Sequence, residues 1–206
     1  MKIAGEYSFE APQAMVYEGL QDPEVLTAVM PGCEKLEKVG ENEYEGTLNI
    51  KIGPVQGKFK GKVRLENPRE PEGYTMHVDG RGAPGFVKAK AEIELAAEGD
   101  GTKMTYDSDA QVGGRIASVG QRLIDSSAKA IIKQSLDGLN ATMKARLAEQ
   151  SGDEEAAAEA RAEAAPPSQT EFAATVAKEV AKDLVPKPVL IVLVILLILA
   201  LLYFLL

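Results

Sequence analysis

The chain has little of the chemistry on which most enzyme sites depend. It contains one cysteine, Cys33, and one histidine, His77, among its 206 residues. A single cysteine excludes an internal disulfide, and a single histidine excludes a metal site built from several histidines. We expect Cys33 to pack as a small apolar residue at a turn and His77 to be solvated on a strand. The formal net charge of −8 argues against general nucleic-acid binding, which needs a basic excess.

The first twelve residues, MKIAGEYSFEAP, lack the apolar run of a secretion signal. Residues 189–206, VLIVLVILLILALLYFLL, do form an apolar run that is long enough to span a bilayer as a helix. Lys178, Lys182 and Lys187 precede this run, so the positive-inside rule predicts that the rest of the chain lies in the cytoplasm. We therefore expect a single-pass C-terminal anchor in the inner (plasma) membrane.

Residues 1–150 predict one α+β domain. A first strand alternates apolar and polar residues from Ile3 to Phe9, and two short helices follow, the first from Pro12 and the second from Asp22-Pro23. Five later segments alternate in the same way and are separated by short turns. These segments are residues 44–52, 58–66, 74–81, 87–95 and 104–112. Alternation with a period of two predicts an antiparallel sheet with one buried face and one solvated face.

Residues 118–150 carry apolar residues at helical spacing and predict one long helix that covers the sheet. The predicted fold is therefore the helix-grip arrangement, in which an antiparallel sheet of about seven strands wraps around a long C-terminal helix. Residues 151–169, rich in Ala, Glu and Pro, predict a flexible linker. Residues 170–185 predict a short amphipathic helix with Phe172, Val176, Val180 and Leu184 on one stripe.

The segment GRGAPG places Gly80, Gly82 and Gly85 at the spacing of a dinucleotide-binding fingerprint. That fingerprint needs a helix directly after it, whereas here Pro84 interrupts and a strand pattern follows. We exclude a nucleotide site and predict a glycine-rich hairpin. Two interpretations stay open: a plain turn, or a flexible lip over a cavity with Phe86 at its edge.

Small residues occupy many of the predicted inward positions, on the sheet and on the long helix. They either bring the two layers close together or leave a void, and a twisted sheet around a helix favours the void. Its wall would be apolar, which suits a lipophilic ligand. The predicted cavity residues are Gly46, Leu48, Ile50, Gly61, Val63, Met76, Val78, Phe86, Ala91, Ile93, Met104, Tyr106, Ser108, Leu123, Ser127 and Ile131.

The solvated face of the predicted sheet carries a basic stripe in an otherwise acidic chain. Its members Lys58, Lys60, Lys62 and Arg64 follow Lys51 of the preceding strand. The stripe either contacts anionic lipid or an acidic protein, or is only a solvated face. We assign it, together with the stripe of Phe172, Val176, Val180 and Leu184, as the candidate partner or membrane surface.

Four separated segments resemble the G-subunit family of carbon monoxide dehydrogenase, a branch of the START and Bet v 1-like helix-grip superfamily. These segments are MPGCEKLE (30–37), LNIKIGPVQGKFKGKVRLE (48–66), GRGAPGFVKAKAEIEL (80–95) and GGRIASVGQRLIDSSAKAII (113–132). The resemblance covers about residues 1–150. It implies a membrane-attached accessory to a molybdenum-containing dehydrogenase that passes electrons to respiratory quinone. The family has no agreed catalytic motif, so no catalytic residue carries over.

Together these observations favour a non-enzymatic, tail-anchored protein that binds menaquinone or ubiquinone and presents it to a cytoplasmic dehydrogenase. We expect no metal and no covalent cofactor. One alternative is a membrane-recruitment or assembly factor for that dehydrogenase, without ligand transfer. Another is an enzyme acting on a hydrophobic substrate, but the inward positions offer almost no titratable groups for it.

Overall fold

A computed structural model describes residues 1–164 of the protein. Two short helices follow the first strand, six strands come next, and two helices end the described part. In chain order the elements are β1 (Lys2–Phe9), α1 (Gln13–Gly19), α2 (Pro23–Val29), β2 (Cys33–Gly40), β3 (Glu43–Ile52), β4 (Val55–Arg69), β5 (Gly73–Gly82), β6 (Gly85–Glu98), β7 (Gly101–Gly113), a 3₁₀ helix (Arg115–Val119), α3 (Gln121–Ser151) and α4 (Glu154–Ala164).

The seven strands form one antiparallel sheet in the order β1-β7-β6-β5-β4-β3-β2. Strands β2 to β7 pair with their neighbours in sequence, and β1 forms one edge of the sheet by pairing with β7. The predicted α+β class, the antiparallel sheet of seven strands and the long helix after it are confirmed. The inward and outward faces follow the alternation in the sequence, because successive side chains of a strand point to opposite sides.

The buried side of the sheet holds two apolar clusters. The larger one joins strand residues such as Leu65 and Ile93 to Val16 of α1 and to Leu139 and Met143 of α3. The smaller one lies at the other end of the strands, around Ile52, Phe59 and Ile116. Both clusters lie on the face that the period-two pattern predicts to be buried.

Helix α3 is fixed to β1 by polar contacts at its middle. The Tyr7 hydroxyl donates a hydrogen bond of 3.0 Å to Asp137, and the backbone N–H of Glu10 donates one of 2.9 Å to Asn140. Burial, reinforced by the Asp137 carboxylate, raises the pKa of Tyr7, so this hydroxyl stays a donor. Gly19 of α1 lies against Met143, so the short helix and the long helix pack closely.

The structure differs from the predicted flexible linker that begins at residue 151. Glu154–Ala164 form helix α4, which packs on α3 with Ala157 and Ala160 buried. Asp153 starts this helix by accepting a hydrogen bond of 3.0 Å from the backbone N–H of Ala156. Alanine and glutamate are strong helix formers, and the small α4 side chains fit closely against α3, where Gly138 lies near the Ala164 carbonyl.

Within residues 1–164, no helix is both long enough and apolar enough to cross a bilayer. The predicted amphipathic helix over residues 170–185 and the predicted span over residues 189–206 lie outside the described residues.

Candidate functional site

An apolar cavity of about 340 Å³ lies between the two core clusters, under strands β2 to β6 and beside helices α1 and α2. Its volume is at the lower end of the range for small-molecule pockets, roughly 300–1,000 Å³. The wall consists of Leu20, Leu26, Met30, Leu36, Tyr44, Gly46, Leu48, Ile50, Phe59, Gly61, Val63, Leu65, Tyr74, Met76, Val78, Gly80 and Val87. The two tyrosines contribute the only oxygen atoms to these side chains.

A row of three glycines forms part of this wall. Gly46, Gly61 and Gly80 are register partners on β3, β4 and β5, so they lie side by side across the sheet. A Cβ atom at Gly61 would have its nearest neighbour at 4.0 Å, and one at Gly80 at 3.7 Å. These two positions therefore face open space that ordinary side chains would occupy. Gly46 is tighter, because a Cβ there would lie 3.0 Å from the Lys35 carbonyl.

Both tyrosines of the wall are neutral near physiological pH. Burial raises the pKa of Tyr74 and of Tyr44, and the Tyr17 hydroxyl and the Asp22 carboxylate raise that of Tyr44 further. The Tyr44 hydroxyl has no hydrogen-bond partner among the described residues. The cavity therefore has an uncharged wall, which suits a neutral apolar ligand better than an ionic metabolite.

Helix α2 forms one side of the cavity and is held in place at its start. The Asp22 carboxylate caps it by accepting hydrogen bonds from the backbone N–H groups of Glu24 (3.0 Å) and Val25 (3.3 Å). The same carboxylate lies 3.2 Å from the Arg146 guanidinium of α3. Asp22 thus ties the cavity side that carries Leu26 to the long helix.

Replacing Asp22 with alanine should lower the free energy of unfolding by about 1 kcal/mol, because the cap hydrogen bonds of α2 are lost. Hydrogen exchange should increase in α2 before it increases in the sheet. The matched control is Arg146→Ala, which removes the ion pair and keeps the cap. Chemical denaturation and hydrogen-exchange mass spectrometry measure both effects. Equal effects of the two variants would show that the cap contributes nothing beyond the ion pair.

Seven of the predicted cavity residues lie on the cavity wall. They come from the alternating inward positions of β3, β4 and β5, where the glycine row is. The seven are Gly46, Leu48, Ile50, Gly61, Val63, Met76 and Val78.

The predicted cavity residues of β6 and β7 lie elsewhere, because that half of the sheet is filled by the core. Ala91, Ile93 and Met104 are buried in the larger cluster. The Tyr106 ring lies over Gly5 of the neighbouring strand, where any side chain would clash with it. Ser108 is half-buried and pairs with Ile3 and Ala91.

The predicted cavity residues of α3 also lie off the wall. Leu123 packs on the smaller cluster, Ile131 packs with Ala130, and Ser127 is fully buried without a partner for its hydroxyl among the described residues. Helix α3 is tied to β1 at Tyr7, so the free half of the sheet lies beside α1 and α2 instead.

The glycine-rich hairpin is held in place, which favours the plain turn over the flexible lip. Pro84 is fully buried, and its carbonyl accepts a hydrogen bond of 2.9 Å from the backbone N–H of Ile116. The 3₁₀ helix therefore holds this turn. Phe86 lies outside the cavity and is 40% exposed, with its ring against Gly113.

Sequence reasoning did not find the helical side of the cavity, which Leu20, Leu26 and Met30 supply. A usable signal was present, since Leu26 and Met30 are four residues apart and extend the buried face of Val25 and Val29. That spacing indicates a second apolar surface on the segment, beside the one that packs into the core.

Carboxylates of the same strand and of other strands pair with most of the predicted basic stripe. Lys58 pairs with Glu34 at 2.7 Å, Lys62 with Glu45 at 2.7 Å and Arg64 with Glu66 at 2.6 Å. Lys60 forms no ion pair within residues 1–164. The solvated face is therefore an alternation of both charges and not a cationic patch. The other predicted surface residues, Phe172, Val176, Val180 and Leu184, lie outside the described residues.

His77 and Cys33, the two residues for which the sequence predicts no catalytic role, take part in no catalytic arrangement among the described residues. His77 lies on the solvated face with its Nε2 atom 2.9 Å from a carboxylate oxygen of Glu66. Cys33 is half-buried at the start of β2, where burial raises the pKa of its thiol. No cluster of three or more potential metal ligands occurs in the part of the chain that the structure describes.

Comparison with known proteins places this geometry in a family. The family model for the G subunit of carbon monoxide dehydrogenase (CoxG) matches residues 5–144. A conserved protein from Geobacillus kaustophilus is 31% identical with a TM-score of 0.66, over 69% of this chain and 95% of that one. A Chromobacterium violaceum protein is 17% identical (TM-score 0.56, 69% and 96% covered). One from Thermus thermophilus is 15% identical (TM-score 0.53, 68% and 94% covered). No curated protein matches the chain.

Proposed function

The chain belongs to the CoxG family, and from that premise we propose that it is a membrane-anchored accessory protein that binds respiratory quinone, menaquinone or ubiquinone. It delivers this ligand to a cytoplasmic molybdenum dehydrogenase of the carbon monoxide dehydrogenase type, or recruits that enzyme to the membrane. The observation that carries the proposal is the apolar, uncharged cavity. Glycines in its wall leave space that side chains would otherwise fill.

Quinones with isoprenoid tails are almost insoluble in water, so an oxidoreductase outside the bilayer needs them delivered or must dock on the membrane. A cavity wall of aliphatic and aromatic side chains removes such a molecule from water at a gain of about 25 cal/mol per Å² of buried apolar surface. A volume of about 340 Å³ suits the ring and the first part of a long tail, and the rest of the tail would extend out of the cavity.

We propose that the protein acts without catalysing a reaction itself. Among the described residues, the cavity wall carries no carboxylate, amine, imidazole or thiol, and its two tyrosines have raised pKa values. Such a wall offers binding by shape and apolar contact, while the chemistry belongs to the dehydrogenase. The apolar run of residues 189–206 would hold the cavity near the bilayer in which the quinone dissolves.

The alternative is a recruitment or assembly factor whose cavity takes no part. It is favoured by Lys60, which has no ion pair among the described residues and would contact an acidic enzyme surface. Charge reversal at Lys58, Lys60 and Lys62 would then abolish dehydrogenase recruitment while quinone content stays unchanged.

Mass spectrometry of solvent extracts tests the proposal. The protein is purified from its native membrane, and a form lacking residues 186–206 is purified in parallel. We expect a near-stoichiometric amount of quinone in both samples, because the described domain contains the cavity. Quinone in the full chain alone would identify it as lipid held by the apolar tail, and recruitment would become the better account.

A further inference from the structure

The two ends of the sheet differ sharply in charge. Three turns lie at one end, beside the start of β2 with its Glu34: the β3–β4 turn, the β5–β6 turn and the 3₁₀ connection from β7 to α3. With the adjoining strand ends they span residues 51–58, 80–87 and 112–122, which we call the basic end. These segments contain five cations and no carboxylate. The cations are Lys51, Lys58, Arg81, Arg115 and Arg122.

The opposite end has the reverse composition. Its turns and adjoining strand ends, residues 38–45, 66–73 and 96–103, contain eight carboxylates and three cations. The protein is acidic overall, but its charged side chains are therefore distributed unevenly between the two ends of the strands. In the field of a negatively charged surface, the domain would turn its basic end toward that surface.

Within residues 1–164, three of the five cations have no ion pair and can contact an external anion. All five side chains are exposed; Lys58 pairs with Glu34 and Arg81 with Asp79 at 3.1 Å. Among the described residues, Lys51, Arg115 and Arg122 have no ion pair.

An exposed aromatic side chain accompanies these cations. Phe86 is the register partner of Arg81, and it is one of two large apolar side chains exposed within residues 1–164. The other, Val39, is at the acidic end. An aromatic ring among cations is the combination that inserts at the boundary between lipid headgroups and acyl chains.

The cavity extends to this same end. Gly80 and Val87 belong to the basic end, Ile50 directly precedes it, and all three line the cavity wall. A ligand that left a bilayer in contact with the basic end would therefore have only the smaller apolar cluster to pass before it met the cavity wall. An acidic protein would explain the cations, but it would leave the exposed ring and the position of the cavity without a role.

We propose that the basic end docks on an anionic phospholipid bilayer, with Phe86 at the headgroup boundary, and that this sets the orientation in which the cavity exchanges its ligand. The inference rests on the proposed membrane role, but its test does not depend on quinone. It also moves the lipid contact from the solvated sheet face, which is neutralised, to the end of the sheet.

The chain of 206 residues suits this test because it contains no tryptophan. Phe86→Trp introduces a single indole at the basic end, and Val39→Trp is the matched control at the acidic end, where the side chain is 53% exposed. Each protein is combined with vesicles of phosphatidylglycerol and brominated phosphatidylcholine. We expect bromine to quench the indole of Phe86→Trp and to leave that of Val39→Trp unquenched.

Removal of positive charge is the second part of the experiment. In the Phe86→Trp protein, glutamine also replaces Lys51, Arg115 and Arg122. The affinity of the basic end for the vesicles should then fall on the order of 100-fold, because each cation contributes about 1 kcal/mol to it. High salt and vesicles without phosphatidylglycerol should do the same. Circular dichroism confirms that each variant is folded, and Lys60→Gln serves as the control for loss of an unpaired cation elsewhere.

Equal quenching at positions 39 and 86 would overturn the proposal, as would an unquenched indole at position 86 in vesicle-bound protein. Quenching that survives the three glutamine substitutions would also overturn it. Protection of the position-86 indole from acrylamide by the purified dehydrogenase alone, and not by vesicles, would assign the basic end to that protein instead. Quinone content, measured in the same samples, reports on the proposed function separately.

Discussion

Replacing Gly61 with leucine should abolish ligand binding while the fold is retained. Gly61 faces open space in the cavity wall, and a Cβ atom there would have no neighbour closer than 4.0 Å. The leucine side chain would place four carbon atoms in a cavity of about 340 Å³, in the space that the ligand needs. We expect binding to weaken by at least about tenfold, since each 1.4 kcal/mol of lost contact costs that factor. Quinone content by mass spectrometry and titration with a soluble quinone analogue measure the effect.

The neighbouring residue supplies a matched control. Lys60→Leu makes the substitution on the same strand with the side chain on the solvated face, so it should leave binding unchanged. Gly80→Leu gives a second test of the same wall, and Gly61→Ala should have an intermediate effect. If folded Gly61→Leu and Gly80→Leu proteins both carry the normal amount of quinone, the cavity is not the binding site.

The sheet was predictable from the sequence because strand patterns are local. Each inward residue is two positions from the next, so the run from Tyr44 to Ile52 defines a face without knowledge of any other strand. Short turns then leave little choice but pairing between neighbours in sequence. The sequence did not reveal that β1 pairs with β7, which is the longest-range strand pairing among the described residues.

The cavity was predictable only on β3, β4 and β5. Glycine and alanine at inward positions are compatible with two arrangements, close packing of the layers or open space between them. Which arrangement occurs depends on which half of the sheet α3 covers. Ala91 is packed in the core, whereas Gly61 and Gly80 face open space. The contacts that decide this, such as Tyr7 with Asp137, join residues 130 positions apart, and no local pattern encodes them.

Helix α4 shows how one composition supports two interpretations. A segment rich in alanine and glutamate is soluble and lacks a large apolar face, which is typical of linkers, but it also has high helix propensity. The capping residue Asp153 was a start signal that favours the helix. Its buried residues, Ala157 and Ala160, have side chains too small to be noticed as an apolar stripe in the sequence.

Removal of residues 186–206 should move the protein from the membrane fraction to the soluble fraction almost completely. The deleted segment includes the 18-residue apolar run, the only one of that length in the chain. Cell fractionation followed by quantitative immunoblotting measures the change. A truncated protein that still sediments with membranes in high salt would show that another part of the chain is sufficient for attachment.

The same truncation distinguishes tethering from ligand exchange. Confinement near the bilayer can raise effective concentration enough to strengthen a second contact by about 10²–10⁴-fold, so quinone reduction by the dehydrogenase should fall steeply in the truncated strain. An unrelated single-pass apolar segment in place of residues 189–206 should restore it, because the proposal gives that run no role beyond attachment. Gly61→Leu in the restored protein then decides between the two functions. Loss of quinone reduction with intact membrane attachment indicates a carrier, whereas unchanged reduction indicates recruitment without ligand transfer.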